Sequence, residues 1–207
     1  MADQRDGPTR GGITFGSEGH EDGRYHSRVL HVPTASSGLT LGRGYDMKLR
    51  SKSQVRDDLL LAGVDSVHAA LISQAAGMAG PRAEEFIEEN NLENFEIEWD
   101  AQRRLFEIEY ERQEADTRRL ATKEDVTRAY GATDWDTLNP TIREVLVDMR
   151  FRGDYTPAAR RIIQRCVATN DMAEFARLIG DRDNWPNVPQ DRFDRRKAAC
   201  DAAAANI

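Results

Sequence analysis

Glu18 stands between Gly16 and Gly19 in "FGSEGHEDG", and Thr40 and Asp46 lie in a second glycine-framed run, "SGLTLGRGYDM". These residue types suit cleavage of a glycosidic bond. One protonated carboxyl hands its proton to the leaving oxygen, while another group places a water or stabilises the sugar cation. A carboxyl with that task needs surroundings that raise its pKa, as apolar packing does. Glu18 fits the first role. Thr40 offers a hydroxyl to a water, and Asp46 can take that water's proton. Each also has a plain structural reading: Glu18 as a solvated loop acid, Thr40 as a strand residue, Asp46 as a helix cap.

Two other chemistries compete for the same stretch. "GLTLGRGYD" invites comparison with a phosphate-cradling loop. The third glycine of a dinucleotide fingerprint is missing, however, as is a Gly-Lys-Ser/Thr ending. His20, Glu21, Asp22, His26 and His31 crowd one segment and invite a metal, yet their spacing matches no zinc pattern. The expectation is therefore a site with no metal and no organic cofactor.

The elements that must position these residues are legible in outline. "RVLHV" and "GLTLG" alternate like short strands joined by the turn-rich "PTASS". From about residue 52 the chain reads as helices. "SQVRDDLLLAG" has Ser53 as a candidate cap and Gly63 as its end, and "DSVHAALISQAAGM" has Asp65 as cap and Gly80-Pro81 as stop. Pro81 also suits a helix start. "DAQRRLFEIEYERQEADTRRLA" is the longest periodic stretch, and "TKEDVTRAYG" is a short capped helix. In "NPTIREVLVDMRFRG", Ile142, Val145, Leu146 and Met149 fall at helical spacing. "TPAARRIIQRCVA", with Thr156 as cap, "NDMAEFARLIG" and "VPQDRFDRRKAACDAAAA" complete the series. The expected fold class is α+β, mainly α: a small lobe over residues 1–62 with a β-hairpin, and a helical lobe over 63–207.

Composition narrows the function classes. The chain of 207 residues is long enough to bury a real core. No apolar run is long enough to span a bilayer, so no membrane insertion is expected. "MADQRDGPTRGG" lacks the apolar stretch of a signal peptide, so if the protein works outside the cytoplasm the expected carrier is a parent chain, a secretion apparatus or lysis rather than general secretion. The net charge of −7 gathers in the middle, where residues 51–130 carry ten basic against eighteen acidic side chains. With no basic stripe interleaved with aromatics, nucleic acid is not expected as a partner. Cys166 and Cys200 are too few for a disulfide scaffold and read as buried thiols.

"FGSEG" followed by "SGLTLGRGYDM" resembles the catalytic segment of phage-type lysozymes, a glutamate followed by a hairpin with Thr-hydrophobic-Gly-x-Gly. The pesticin-type branch, muramidase domains of bacterial toxins, is the nearer likeness. It shares the longer interval from Glu to Thr, the Ser-Gly-hydrophobic-Thr run and the Gly-aromatic-Asp ending. "DTLNPTIREVLVDMRFRGD" is similar to the core helix of the lysozyme helical lobe, and "NVPQDRFDRRKAACDAA" to its closing helix. The sequence departs from phage lysozymes at Ser27, where they carry an aspartate, and at Tyr45, where they carry a histidine. The resemblance implies a lysozyme-like fold with its cleft between the lobes and Glu18 as general acid. Asp46 would be the second carboxylate, Thr40 a water-positioning residue and Tyr45 a substrate-binding one. It further implies peptidoglycan as substrate, action in the periplasm or wall of a target bacterium, and a cognate immunity protein as partner. Two alternatives stand beside it: a lytic transglycosylase, and an inactive wall-binding module.

Overall fold

A computed structural model describes residues 6–21 and 26–206. The chain is mainly helical with one two-stranded antiparallel sheet, an α+β arrangement. It divides into two compact units, Met1–Glu109 and Tyr110–Ile207.

The first unit holds α1 (Gly12–Ser17), β1 (Thr40–Leu41), β2 (Tyr45–Asp46), α2 (Lys52–Ala62), α3 (Ser66–Ile72), α4 (Pro81–Glu89) and the start of α5 (Trp99–Thr122). Alternation in "GLTLGRGYDM" does the expected work: Leu39, Leu41, Tyr45 and Met47 share one buried core with Leu59 of α2 and Leu105 of α5. Burying a large apolar side chain of this kind contributes roughly 1.5–3 kcal/mol. That core anchors the hairpin to the helices behind it.

The strands differ from the pattern read in the sequence. β1 pairs with β2, in the register Thr40 to Asp46 and Leu41 to Tyr45, and meets "RVLHV" at a single bridge rather than along a strand. "RVLHV" contributes two isolated bridges, His31 to Thr40 and Val29 to Glu96. Its backbone is shared between two partners, because Ile97 N–H donates to Arg28 O while His31 and Thr40 exchange both hydrogen bonds. Local alternation cannot announce a partner that far along the chain.

Helix punctuation agrees more closely. Asp65 caps α3 through Val67 and His68 N–H, and Gly63 closes α2 at φ 97°. The α2 cap is Ser51, not Ser53, since Ser51 has the extended backbone and accepts from Gln54 N–H at 3.2 Å. α3 ends at Ile72 and tightens into a 3₁₀ turn over Ser73–Ala75, well short of Gly80.

The second unit holds α6 (Glu124–Tyr130), α7 (Pro140–Arg152), α8 (Pro157–Ala168), α9 (Met172–Gly180) and α10 (Gln190–Ala204). Asn139, Thr156 and Asp171 cap α7, α8 and α9 through side-chain oxygens, each worth about 1 kcal/mol. For α6, Lys123 holds the cap position without a side-chain bond. Ile142, Val145, Leu146 and Met149 are buried as their spacing requires, and α9 packs against α8 and α10. Cys166 and Cys200 are free and buried. Among the described residues no helix is long and apolar enough to cross a membrane.

Candidate functional site

Glu18 ends α1. Its N–H donates to Thr14 O at 2.9 Å, so it holds the helix C-cap, and its side chain is half-buried. Phe15, one turn earlier, anchors the helix by edge-on contacts with Trp99 and Phe106, at ring-centroid distances of 5.6 and 5.0 Å.

The hairpin supplies the other named residues. Thr40 and Asp46 face each other directly across the two strands. Thr40 is only 4% exposed, and its hydroxyl donates to Gly38 O at 3.2 Å. Asp46 is half-buried, and both its oxygens accept from backbone: Oδ2 from Gly38 N–H at 3.1 Å, Oδ1 from Lys48 N–H at 2.7 Å. Gly38 has no room for a side chain here, since an added Cβ would sit 2.3 Å from Asp46 Oδ1. Asp46 therefore pins the entry of β1 to the exit of β2. Tyr45 points into the core at 1% exposure, and its hydroxyl donates to Asp58 Oδ2 at 2.6 Å. The Arg50 guanidinium stacks on its ring at 4.2 Å and donates to Asp46 O.

Arg43 joins the hairpin to the Glu18 segment. It occupies the tip of the turn between Gly42 and Gly44, whose φ values of 62° and 87° suit glycine. Nη1 donates to Phe15 O at 2.5 Å and to Gly19 O at 2.8 Å, and Nη2 to Glu21 Oε1 at 2.6 Å. The guanidinium also lies 4.0 Å from the Phe15 ring centroid. Sequence reasoning passed over this residue. A lone arginine between glycines reads as a solvated loop cation, and two of its partners are backbone carbonyls that no motif records.

Glu21 continues the network. It accepts from Arg43, from Arg28 Nε at 3.0 Å and from Gln102 Nε2 at 2.8 Å. Burial pushes its carboxyl pKa up, but the bonds from Gln102, Arg43 and Arg28 outweigh burial and hold it below the ordinary carboxylate value. Ser27, at the position where phage lysozymes carry an aspartate, is buried. Its hydroxyl lies 2.9 Å from His20 O and 2.7 Å from Gln102 Oε1 and shares its one proton between them.

The histidine-rich stretch is spread over separate tasks. His26 Nε2 meets Glu96 at 3.0 Å, His31 Nδ1 meets Val29 O at 2.9 Å, and His20 is exposed. Asp22 lies outside the described residues. Among the described residues no three or more His, Cys, Asp or Glu side chains are grouped to hold a metal ion.

Residues 11–197 match a family described as a domain of unknown function, DUF8812, and the chain belongs to that family. No curated protein matches the chain.

Proposed function

We propose that this chain is a peptidoglycan hydrolase, a muramidase cleaving the β-1,4 bond between N-acetylmuramic acid and N-acetylglucosamine. The observation that carries the reading is the Arg43 bridge, which ties a half-buried glutamate at the end of a short helix to the glycine-framed hairpin holding Thr40 and Asp46. Glu18, in its protonated form, donates to the glycosidic oxygen, and the bond to the anomeric carbon breaks. The Thr40 hydroxyl, its own proton given to Gly38 O, offers a lone pair to the water that attacks that carbon, and the water's proton returns to the Glu18 carboxylate. Asp46 acts through the hairpin, because both of its oxygens already accept backbone N–H groups. Tyr45 supports the hairpin from the core in the same way. The toxin-like resemblance adds delivery into a rival's periplasm and a cognate immunity protein, for which the acidic stretch over residues 84–100 offers a surface.

The engagement of Asp46 favours one further reading, a lytic transglycosylase, which needs a single glutamate. There the muramic 6-hydroxyl attacks the anomeric carbon and its proton returns to the Glu18 carboxylate, giving a 1,6-anhydro end. Mass spectrometry of muropeptides after digestion separates the readings. Reducing muramic ends are expected; anhydro ends would establish the transglycosylase, and no new fragments would leave only a wall-binding module.

A further inference from the structure

We propose that Arg43 is the positioning residue for Glu18, fixing where its carboxyl meets the glycosidic oxygen; this rests on Glu18 being the general acid. α1 is only six residues long and ends at the residue before Glu18. So short a helix cannot hold its own terminus rigidly, and its last carbonyls have no partner within the helix. Arg43 supplies the missing constraint from outside. Its guanidinium takes Phe15 O on one side of Glu18 and Gly19 O on the other, and Glu21 supplies its counter-charge.

Three features fit the clamp. Arg43 is 6% exposed, so its bonds form away from competing water. Glu21 is held by Arg28 and Gln102, so the counter-charge does not drift. Gly19 leaves no space for a Cβ, which would come within 2.8 Å of Ser27 and 3.0 Å of Arg43 Cγ, so the backbone after Glu18 can lie close against both. A planar fork spans three acceptors in fixed directions, which an ammonium on a flexible stem does not reproduce.

A displacement near 1 Å of a catalytic group costs about a hundredfold in rate. Arg43→Met should therefore lower kcat on soluble uncrosslinked glycan strands by at least about tenfold, with KM within about twofold, because the clamp touches no substrate. Arg43→Lys should fall between that variant and the wild type. Near-UV circular dichroism shows whether each variant is folded. Folded Arg43→Met with wild-type kcat overturns the proposal. Should Arg43→Met fail to fold, Arg43→Lys decides: a reduced kcat at unchanged KM supports the clamp, and wild-type kcat overturns it. A wild-type protein that leaves the strands intact removes the reading of Glu18 and this proposal with it, whereas an active wild type with indifferent Arg43 variants removes this proposal alone.

Discussion

A carboxylate that accepts two backbone N–H groups carries a structural duty that its side-chain type does not advertise. Asp46 has the chemistry of a second catalytic acid and the geometry of a hairpin staple. Asp46→Ala leaves the Gly38 and Lys48 N–H groups without their acceptor, a loss of about 1–3 kcal/mol discounted for partial exposure. Thermal melts should show the lowered Tm, and lytic rate should fall with it. Asp46→Asn keeps one carbonyl oxygen for the hairpin, so it should melt closer to the wild type and retain most of the rate. An Asn variant that is folded, stable and inert would return Asp46 to the chemistry. Of the residues named from sequence, Glu18, Thr40 and Asp46 stand out as candidates because their types suit a reaction, yet for Asp46 the type says nothing of the two backbone N–H groups it holds. Arg43 and Glu21 do not stand out, because their value lies in which distant carbonyls and amides they meet.

The hairpin shows how far local pattern reaches. Its apolar alternation puts Leu39, Leu41, Tyr45 and Met47 in the core, and that was readable. The expected pairing with "RVLHV" forms in part, at the His31–Thr40 bridge, because that stretch divides its hydrogen bonds between Thr40 and residues 96–97. Helix ends fared better, since a cap and its N–H partner lie within three residues; Asp65 and Thr156 both take the expected form. Two glycines make a test of the hairpin's crowding. Gly38→Ala would drive a Cβ against Asp46 Oδ1, Lys48 N and Lys48 Cβ, all within 2.7 Å. Gly77→Ala meets nothing within 4 Å and bears only its positive φ of 84°. The first should cost about 2–3 kcal/mol or more, and the second about 1 kcal/mol, measured by urea unfolding. Equal costs would mean that the hairpin relaxes around the added methyl.

Across the whole molecule, buried polar groups couple folding to pH. Asp148 of α7 is fully buried and takes Arg192 and Arg196 of α10 at 2.6 Å each. Burial alone would raise its pKa; the hydrogen bond from Arg192 and the charges of Arg196 and Arg192 outweigh it and hold the carboxyl below the ordinary carboxylate value. A depressed folded-state pKa stabilises the fold above the unfolded value, and that contribution is lost as pH falls through the folded one. Acid unfolding of the wild type should therefore steepen below about pH 4. Asp148→Asn should lose about 3–5 kcal/mol at neutral pH and show a flatter acid limb. Burial also pushes the Cys166 and Cys200 thiols up to about 12, so both should resist alkylation in the native protein at pH 8 and react once it is unfolded. Above these structural expectations stands the claim that Glu18 is the proton donor. The most direct measurement is clearing of purified peptidoglycan by wild type and by Glu18→Gln, with circular dichroism confirming that both are folded. The wild type should clear the suspension, and the folded Gln variant should lose at least about a hundredfold in rate, the scale of a missing general acid. A folded Glu18→Gln variant that clears at the wild-type rate would contradict the account.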